Sequence, residues 1–233
     1  MLIHKRAMIV SLFGALLLFA CGGGGSDPVS AGGGTSKIIF QDDFSSNNGA
    51  WDVLLNDPDL LLEYYDGGYR MTAIKKNVVY SSVPNFVFPT DVSIEADIAQ
   101  TAGTENAAMG IICRYTYSAN SESMYFFMIY TDGTAEIAKY VTGQKTFLAG
   151  RSPFISINPG ITTNRTGTYR TGNRTNHMRV DCVGNTFTMY VNGTQLFSVT
   201  DNSLVQGDAG LMIGTSDEED AVVLFDNFVV SKP

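Results

Sequence analysis

Histidine is almost missing from this chain: 2 occur in 233 residues, His4 and His177. A His-based catalytic triad therefore has one possible base in the body of the protein, and no serine motif points to it. The spacings HxH and HExxH do not occur, which excludes the usual zinc-hydrolase ligand sets. Basic charge is scarce too, with 15 Lys and Arg against 23 Asp and Glu. A surface of that sign repels phosphate backbones, so nucleic acid is not expected as a partner. Helical periodicity is absent, because no long stretch keeps apolar residues at i, i+3, i+4 and i+7. Apolar runs of about 18 residues or more, the length needed to span a bilayer as a helix, are also lacking.

The longest apolar run, Ala7 to Ala20, follows Lys5 and Arg6 and leads into Leu18-Phe19-Ala20-Cys21. A basic start, a short apolar stretch and a small residue before the cut read as an export signal over residues 1–20. Cys21 in that setting resembles the lipobox cysteine of bacterial lipoproteins. The resemblance implies that Cys21 is acylated, becomes the mature N-terminus and provides the only membrane contact, each acyl chain contributing about 0.8 kcal/mol per buried methylene. Gly22 stands where some lipoproteins retained at the inner membrane carry aspartate, which points to the outer membrane of a two-membrane envelope. Removing Lys5 and Arg6 turns the 15 basic side chains into 13, against 23 acidic ones, a net charge of −10. Residues 21–36, CGGGGSDPVSAGGGTS, carry too little apolar surface to fold and form a flexible tether. Residues 37–233 have the length of one all-β domain.

Strand signals fill this body. Val92, Ile94, Ala96 and Ile98 alternate with Ser93, Glu95 and Asp97, giving one dry and one polar face. Asp132-Gly133, Gly184-Asn185 and Asn192-Gly193 separate β-rich runs and predict tight hairpin turns of the type that needs positive φ. Short strands joined this way predict an antiparallel sandwich. The segment SMYFFMIY is apolar on both faces: Met124, Phe126, Met128 and Tyr130 on one, Tyr125, Phe127 and Ile129 on the other. A strand in a two-layer sandwich normally has one wet face, so this one needs a second cover, either a long loop or an aromatic-lined groove.

The order GIICRY, YFFMIY, AEIAKY and NHMRVDCVGNTFTMYVNGTQLFSV resembles the concanavalin A-like jelly roll. It is closest to the laminin G-like and laminarinase-related branches and to bacterial domains grouped with 3-keto-disaccharide hydrolases. The opening FQDDFSSNNGAWDV and the closing VLFDNFVV match the ends of such domains. The expected fold is thus all-β, a two-sheet antiparallel jelly-roll sandwich. This superfold hosts enzymes, lectins and adhesion modules alike.

The run Glu95-Ala96-Asp97-Ile98-Ala99-Gln100 resembles the active-site strand of laminarinase-type hydrolases, which the resemblance makes a nucleophile, an orienting acid and an acid/base. Retaining hydrolysis requires two carboxyls about 5–5.5 Å apart, and Gln100 occupies the acid/base position here. The alternative is that Glu95 and Asp97 are the solvated side of their strand. Cys113 and Cys182 form an even pair in an exported domain, on strand faces that alternation turns inward, and a disulfide is expected; two separate buried thiols are the alternative. Pairing of the first and last strands would bring Asp42, Asp43 and Asp226 together, where the resemblance implies a structural calcium; calcium takes such hard oxygen ligands. Residues 151–176 carry Arg151, Arg165, Arg170 and Arg174 without a single Asp or Glu. They form either a solvated insertion or a cover presenting guanidinium groups to an acidic glycan or phosphate. The expected partner is a glycan or polysaccharide, bound without hydrolysis. The resemblance places it across the concave sheet, with aromatics stacked on sugar rings and polar side chains holding hydroxyls, drawn from Arg114, Tyr115, Tyr125, Tyr130 and Tyr140. A glycoside hydrolase or 3-keto-disaccharide hydrolase relative using Glu95 and Asp97, and an adhesion or structural envelope protein, are the rival readings.

Overall fold

The computed structural model describes residues 37–103, 107–118, 121–150 and 175–233. The export signal, Cys21, the tether and the four arginines of residues 151–176 lie outside the described residues. Among the described residues there are strands and no helix, as the missing helical period requires.

Two antiparallel sheets face each other. One runs β12 (Thr194–Thr200), β11 (Thr186–Val191), β10 (Asn176–Val183), β5 (Val92–Gly103), β14 (Ala221–Ser231), β3 (Gly68–Ala73) and β2 (Leu60–Tyr65). β1 (Ile38–Asp42) joins it by pairing with the end of β14, so the first and last strands meet as expected. The other sheet runs β4 (Val79–Ser82), β13 (Asp208–Gly214), β6 (Ala108–Ser118), β7 (Ser121–Tyr130), β8 (Ala135–Val141) and β9 (Gln144–Gly150).

The core between the sheets follows from the period of 2. Val92, Ile94, Ala96 and Ile98 of β5 are buried there with Met178 and Val180 of β10 and Val223 and Phe225 of β14. Facing them are Ile111 of β6, Phe127 and Ile129 of β7 and Ile137 of β8. Burying each such side chain contributes roughly 1.5–3 kcal/mol. The single tryptophan, Trp51, closes one end of this core, with its ring 5.0 Å from Phe228 and 5.2 Å from Tyr69. Cys113 of β6 and Cys182 of β10 form a disulfide between the two sheets.

Not every turn has the predicted geometry. Asn192 and Gly193 both have positive φ, 50° and 81°, the pattern predicted for all three. Between β10 and β11 only Gly184 is positive, at 55°, which suits a turn with glycine at its first central position. Between β7 and β8 the link is longer: the Gly133 N–H donates to the Tyr130 carbonyl, and Gly133 alone is positive. Asp66-Gly67 and Thr142-Gly143 carry the paired positive φ instead, in the β2–β3 and β8–β9 turns.

One irregularity reverses a predicted side-chain direction. Strict alternation puts Tyr115 on the same face as Ile111 and Cys113. The pairing of β6 with β7 slips between Cys113 and Thr116, and Arg114 takes a left-handed φ of 52°. A bulge of this kind adds one residue to the strand and flips the phase beyond it. Ile111 and Cys113 therefore face the core between the sheets, while Tyr115 belongs to a second cluster on the outer face.

Candidate functional site

The second cluster is what the doubly apolar β7 builds. Met124, Phe126 and Met128 of β7 are buried with Ile112 and Tyr115 of β6, Ala138 of β8 and Met212 of β13. All belong to the six-stranded sheet and all lie on its outer side, away from the first core. Tyr117, Tyr130 and Tyr140 pack against this floor and are partly exposed. Phe147 of β9 is 53% exposed beside them. An apolar floor with a rim of half-exposed aromatics is the makeup of a ligand surface rather than of an ordinary solvated sheet face.

A charged group sits within this face. Glu136 occupies the position of β8 opposite Met128 and is completely buried. Its Oε1 accepts from the Tyr130 hydroxyl at 2.6 Å and from the Lys145 ammonium at 2.7 Å. The Lys145 ammonium also lies 4.3 Å from the ring centre of Phe147 and 5.1 Å from that of Phe126. Glu136 Oε2 has no hydrogen-bond partner among the described residues. Glu136 and Lys145 were not among the sequence candidates. Glu136 did leave a signal, an acid in phase with Ala138 and Tyr140 on an otherwise apolar face; Lys145 left none.

The five side chains proposed from sequence divide between the two faces. Tyr130 and Tyr140 rim the outer cluster, and Tyr115 lies buried within it, donating to Glu122 at 3.0 Å. Tyr125 points the other way, into the core between the sheets, where its ring packs 4.0 Å from Phe187. Its hydroxyl donates to Asp201 and accepts from the Leu204 N–H; burial, reinforced by Asp201, pushes its pKa up to about 12. Asp201 also takes the Lys139 ammonium at 2.6 Å. Burial opposes its ionisation, but the hydrogen bonds from Lys139, Tyr125 and Ser203 prevail and hold its pKa well below the usual carboxylate range. Arg114 is likewise internal. Its guanidinium donates to the carbonyls of Leu204 and Gly184 and lies 4.9 Å from the centre of the Phe187 ring. Tyr125 and Arg114 fasten the β12–β13 link and the β10–β11 turn to the sandwich, and neither reaches the outer face.

Glu95 and Asp97 lie on the opposite side of the molecule, on the outer face of the eight-stranded sheet. Their cross-strand neighbours on β10 are Arg179 and His177. The His177 ring bridges the two acids, with Nδ1 2.9 Å from Asp97 and Nε2 3.1 Å from Glu95. The bond to Glu95, helped by Asp97, raises the His177 pKa to about 9, so the ring is a cation donating both protons at neutral pH. The same contact lowers the pKa of Glu95. Asp97 also accepts from the Asn227 side chain at 2.9 Å. Gln100 is buried, and its amide donates to the Ala102 carbonyl. The two acids thus flank a cation, and the buried Gln100, in the last position of the hydrolase-like run, bonds to Ala102 rather than to either of them.

Asp42, Asp43 and Asp226 gather near one open cleft of about 360 Å³ lined in part by Asp42, Asp43, Asn48 and Asn227. Each carboxylate accepts hydrogen bonds from close in the chain. Asp42 accepts from the Phe44 N–H and the Asn48 amide, Asp43 from Ser45, and Asp226 from the Asn227 N–H. Burial, then the charges of Asp97 and Asp43, raise the pKa of Asp226. Among the described residues no group of three or more His, Cys, Asp or Glu is arranged to hold a metal ion.

Comparison with solved structures bears on the architecture. The chain is similar to a Bacillus subtilis protein of unknown function with a galectin-like fold, at TM-score 0.61 and 8% identity over 84% of this chain and 96% of that one. This is a jelly roll. A similar jelly roll is carbohydrate-binding module CBM66 from Bacillus subtilis, at TM-score 0.52 and 14% identity over 85% of this chain and 98% of that one. A third is a structure from work on endo-acting O-glycanases of human gut microbiota that initiate mucin breakdown, at TM-score 0.57 and 12% identity over 84% of this chain and 100% of that one. No protein-family model matches the sequence, and no curated protein matches it.

Proposed function

We propose that this is an exported lipoprotein, tethered through Cys21, whose jelly-roll domain binds carbohydrate on the outer face of the six-stranded sheet without hydrolysing it. The observation that carries the reading is the second apolar cluster, with its rim of Tyr130, Tyr140 and Phe147. Sugar rings present apolar C–H faces that stack on aromatic side chains. A floor of Phe126 and Met128 beneath a partly exposed rim supplies such contacts. That carbohydrate-binding modules share this fold supports the reading. The placement of the acids supports the non-hydrolytic reading, since Glu95 and Asp97 are held by His177 on the far side of the sandwich.

The test uses the mature chain carrying Cys21→Ser, run through gels cast with individual polysaccharides. At least one polysaccharide is expected to retard the protein. Tyr140→Ala is expected to weaken that retention about tenfold, equivalent to about 1.4 kcal/mol. A protein retarded by no polysaccharide refutes the reading and leaves the structural envelope role.

A further inference from the structure

The geometry points to Glu136 as the hydrogen-bond acceptor for a neutral sugar hydroxyl, a role that rests on the carbohydrate-binding reading above. Buried charged acceptors in folded proteins almost always have their lone pairs satisfied. Glu136 is fully buried on the outer face, yet its two donors both meet Oε1, and Oε2 has no partner among the described residues. Met128 lies opposite it across the strands and Phe126 beneath Lys145, so the surroundings supply ring faces and methyl groups rather than donors. A ligand lying across the tyrosine rim would bring the missing donor.

The charges decide which ligand. Glu136 and Lys145 cancel one another, so their pair offers nothing to hold a cation. An acidic sugar would set its carboxylate against the open oxygen of Glu136, with the ammonium already committed to the other. A neutral sugar supplies an O–H donor and no opposing charge. Oε2 is buried, so a ligand reaches it through a shift of neighbouring side chains; Lys145, bonded to the other oxygen, sits near the Phe126 and Phe147 rings at the end of a flexible stem.

The experiment measures retention of the mature Cys21→Ser chain by neutral polymers (laminarin, dextran, galactomannan) and by polygalacturonate. Retention by a neutral polymer and none by polygalacturonate is expected. Glu136→Gln should weaken retention at least tenfold with an unchanged melting temperature, because the amide turns its oxygen to Lys145 and Tyr130 and presents N–H₂ to the sugar. A fully O-methylated form of the retaining polymer, which keeps its rings and loses its donors, should not retain the wild type; this arm holds even when Glu136→Gln does not fold. Undiminished retention of a folded Glu136→Gln protein, or equal retention by the methylated polymer or by polygalacturonate, overturns the assignment while the binding face stands. No retention by any neutral polymer, with Tyr140→Ala making no difference anywhere, overturns both.

Discussion

Arg114 shows how one residue can be forced by the fold rather than chosen for a ligand. It holds a left-handed backbone at a bulge, is almost wholly buried, and spends its guanidinium on two carbonyls from separate loops. Hydrogen bonds to a charged group contribute about 1.5–3 kcal/mol each. Arg114→Leu is therefore expected to lower the unfolding free energy by about 2–4 kcal/mol in urea melts, while leaving glycan retention of the folded fraction unchanged. His177 is a residue of the opposite kind, exposed and placed between two acids. Its folded pKa of about 9 lies above the unfolded value of about 6.5. The stability it provides is fully present below pH 6.5 and is lost as pH rises towards 9. With the ring 46% exposed, solvent screening keeps the effect to about 1 kcal/mol or less. An NMR titration of His177 should have its midpoint near 9, and His177→Gln should remove the decline in stability between those values. A midpoint near 6.5 would show that the bridge to Glu95 and Asp97 does not form.

Among the elements, β6 and β7 carry the most information, because each faces two apolar clusters: Ile111, Cys113, Phe127 and Ile129 the one, Ile112, Met124, Phe126 and Met128 the other. The split of β7 into its two faces was legible in the sequence, since a regular strand keeps its period of 2 from end to end. The same logic failed one strand away: the bulge at Arg114 puts Tyr115 on the side opposite to Cys113, and no residue of GIICRY announces it. Which tyrosines rim the face was hidden for that reason, and Glu136 because a lone acid in an apolar strand reads as an edge residue until its neighbours are known. The disulfide was legible through an even pair of cysteines on inward-turned strand faces, in a domain expected to be exported. It joins β6 to β10 across a separation of 69 residues, for which loop entropy predicts about 4 kcal/mol. Replacing both cysteines with alanine should lower the unfolding free energy by that order in protein recovered through the export route. Free alkylation of both thiols in unfolded, unreduced protein would refute the bond. Close approach of β6 and β7 gives a second test, because a Cβ on Gly110 would stand 1.9 Å from the Phe127 carbonyl oxygen. Gly110→Ala should strain this ladder and destabilise by at least about 1–3 kcal/mol, read as a lower urea midpoint.

At the scale of the whole molecule, the sandwich separates its polar chemistry from its apolar one. The eight-stranded sheet turns Glu95, Asp97, His177 and Arg179 outward, and the six-stranded sheet turns out the aromatic rim with Glu136. The sequence alone did not say whether the acids and the tyrosines share a face, since both fall on strands of a jelly roll. Only the sheet order shows that β5 and β7 belong to different layers. On the proposed lipoprotein reading residues 21–36 would add a further separation, between membrane and domain, and Cys21→Ser should release the body into the soluble fraction and abolish acyl labelling. A consequence of the two-layer separation decides between binder and hydrolase. If glycan lies across the six-stranded sheet, then Glu95→Gln with Asp97→Asn acts on the far face, with the core between. The double variant should retain polysaccharide within tenfold of the wild type, about 1.4 kcal/mol at most. Neither protein should release reducing sugar, because retaining hydrolysis requires an acid and a nucleophile facing one bond, and here the two acids hold a histidine cation between them. Reducing sugar released by the wild type and lost in the double variant would move the active surface to the eight-stranded sheet and make the protein an enzyme.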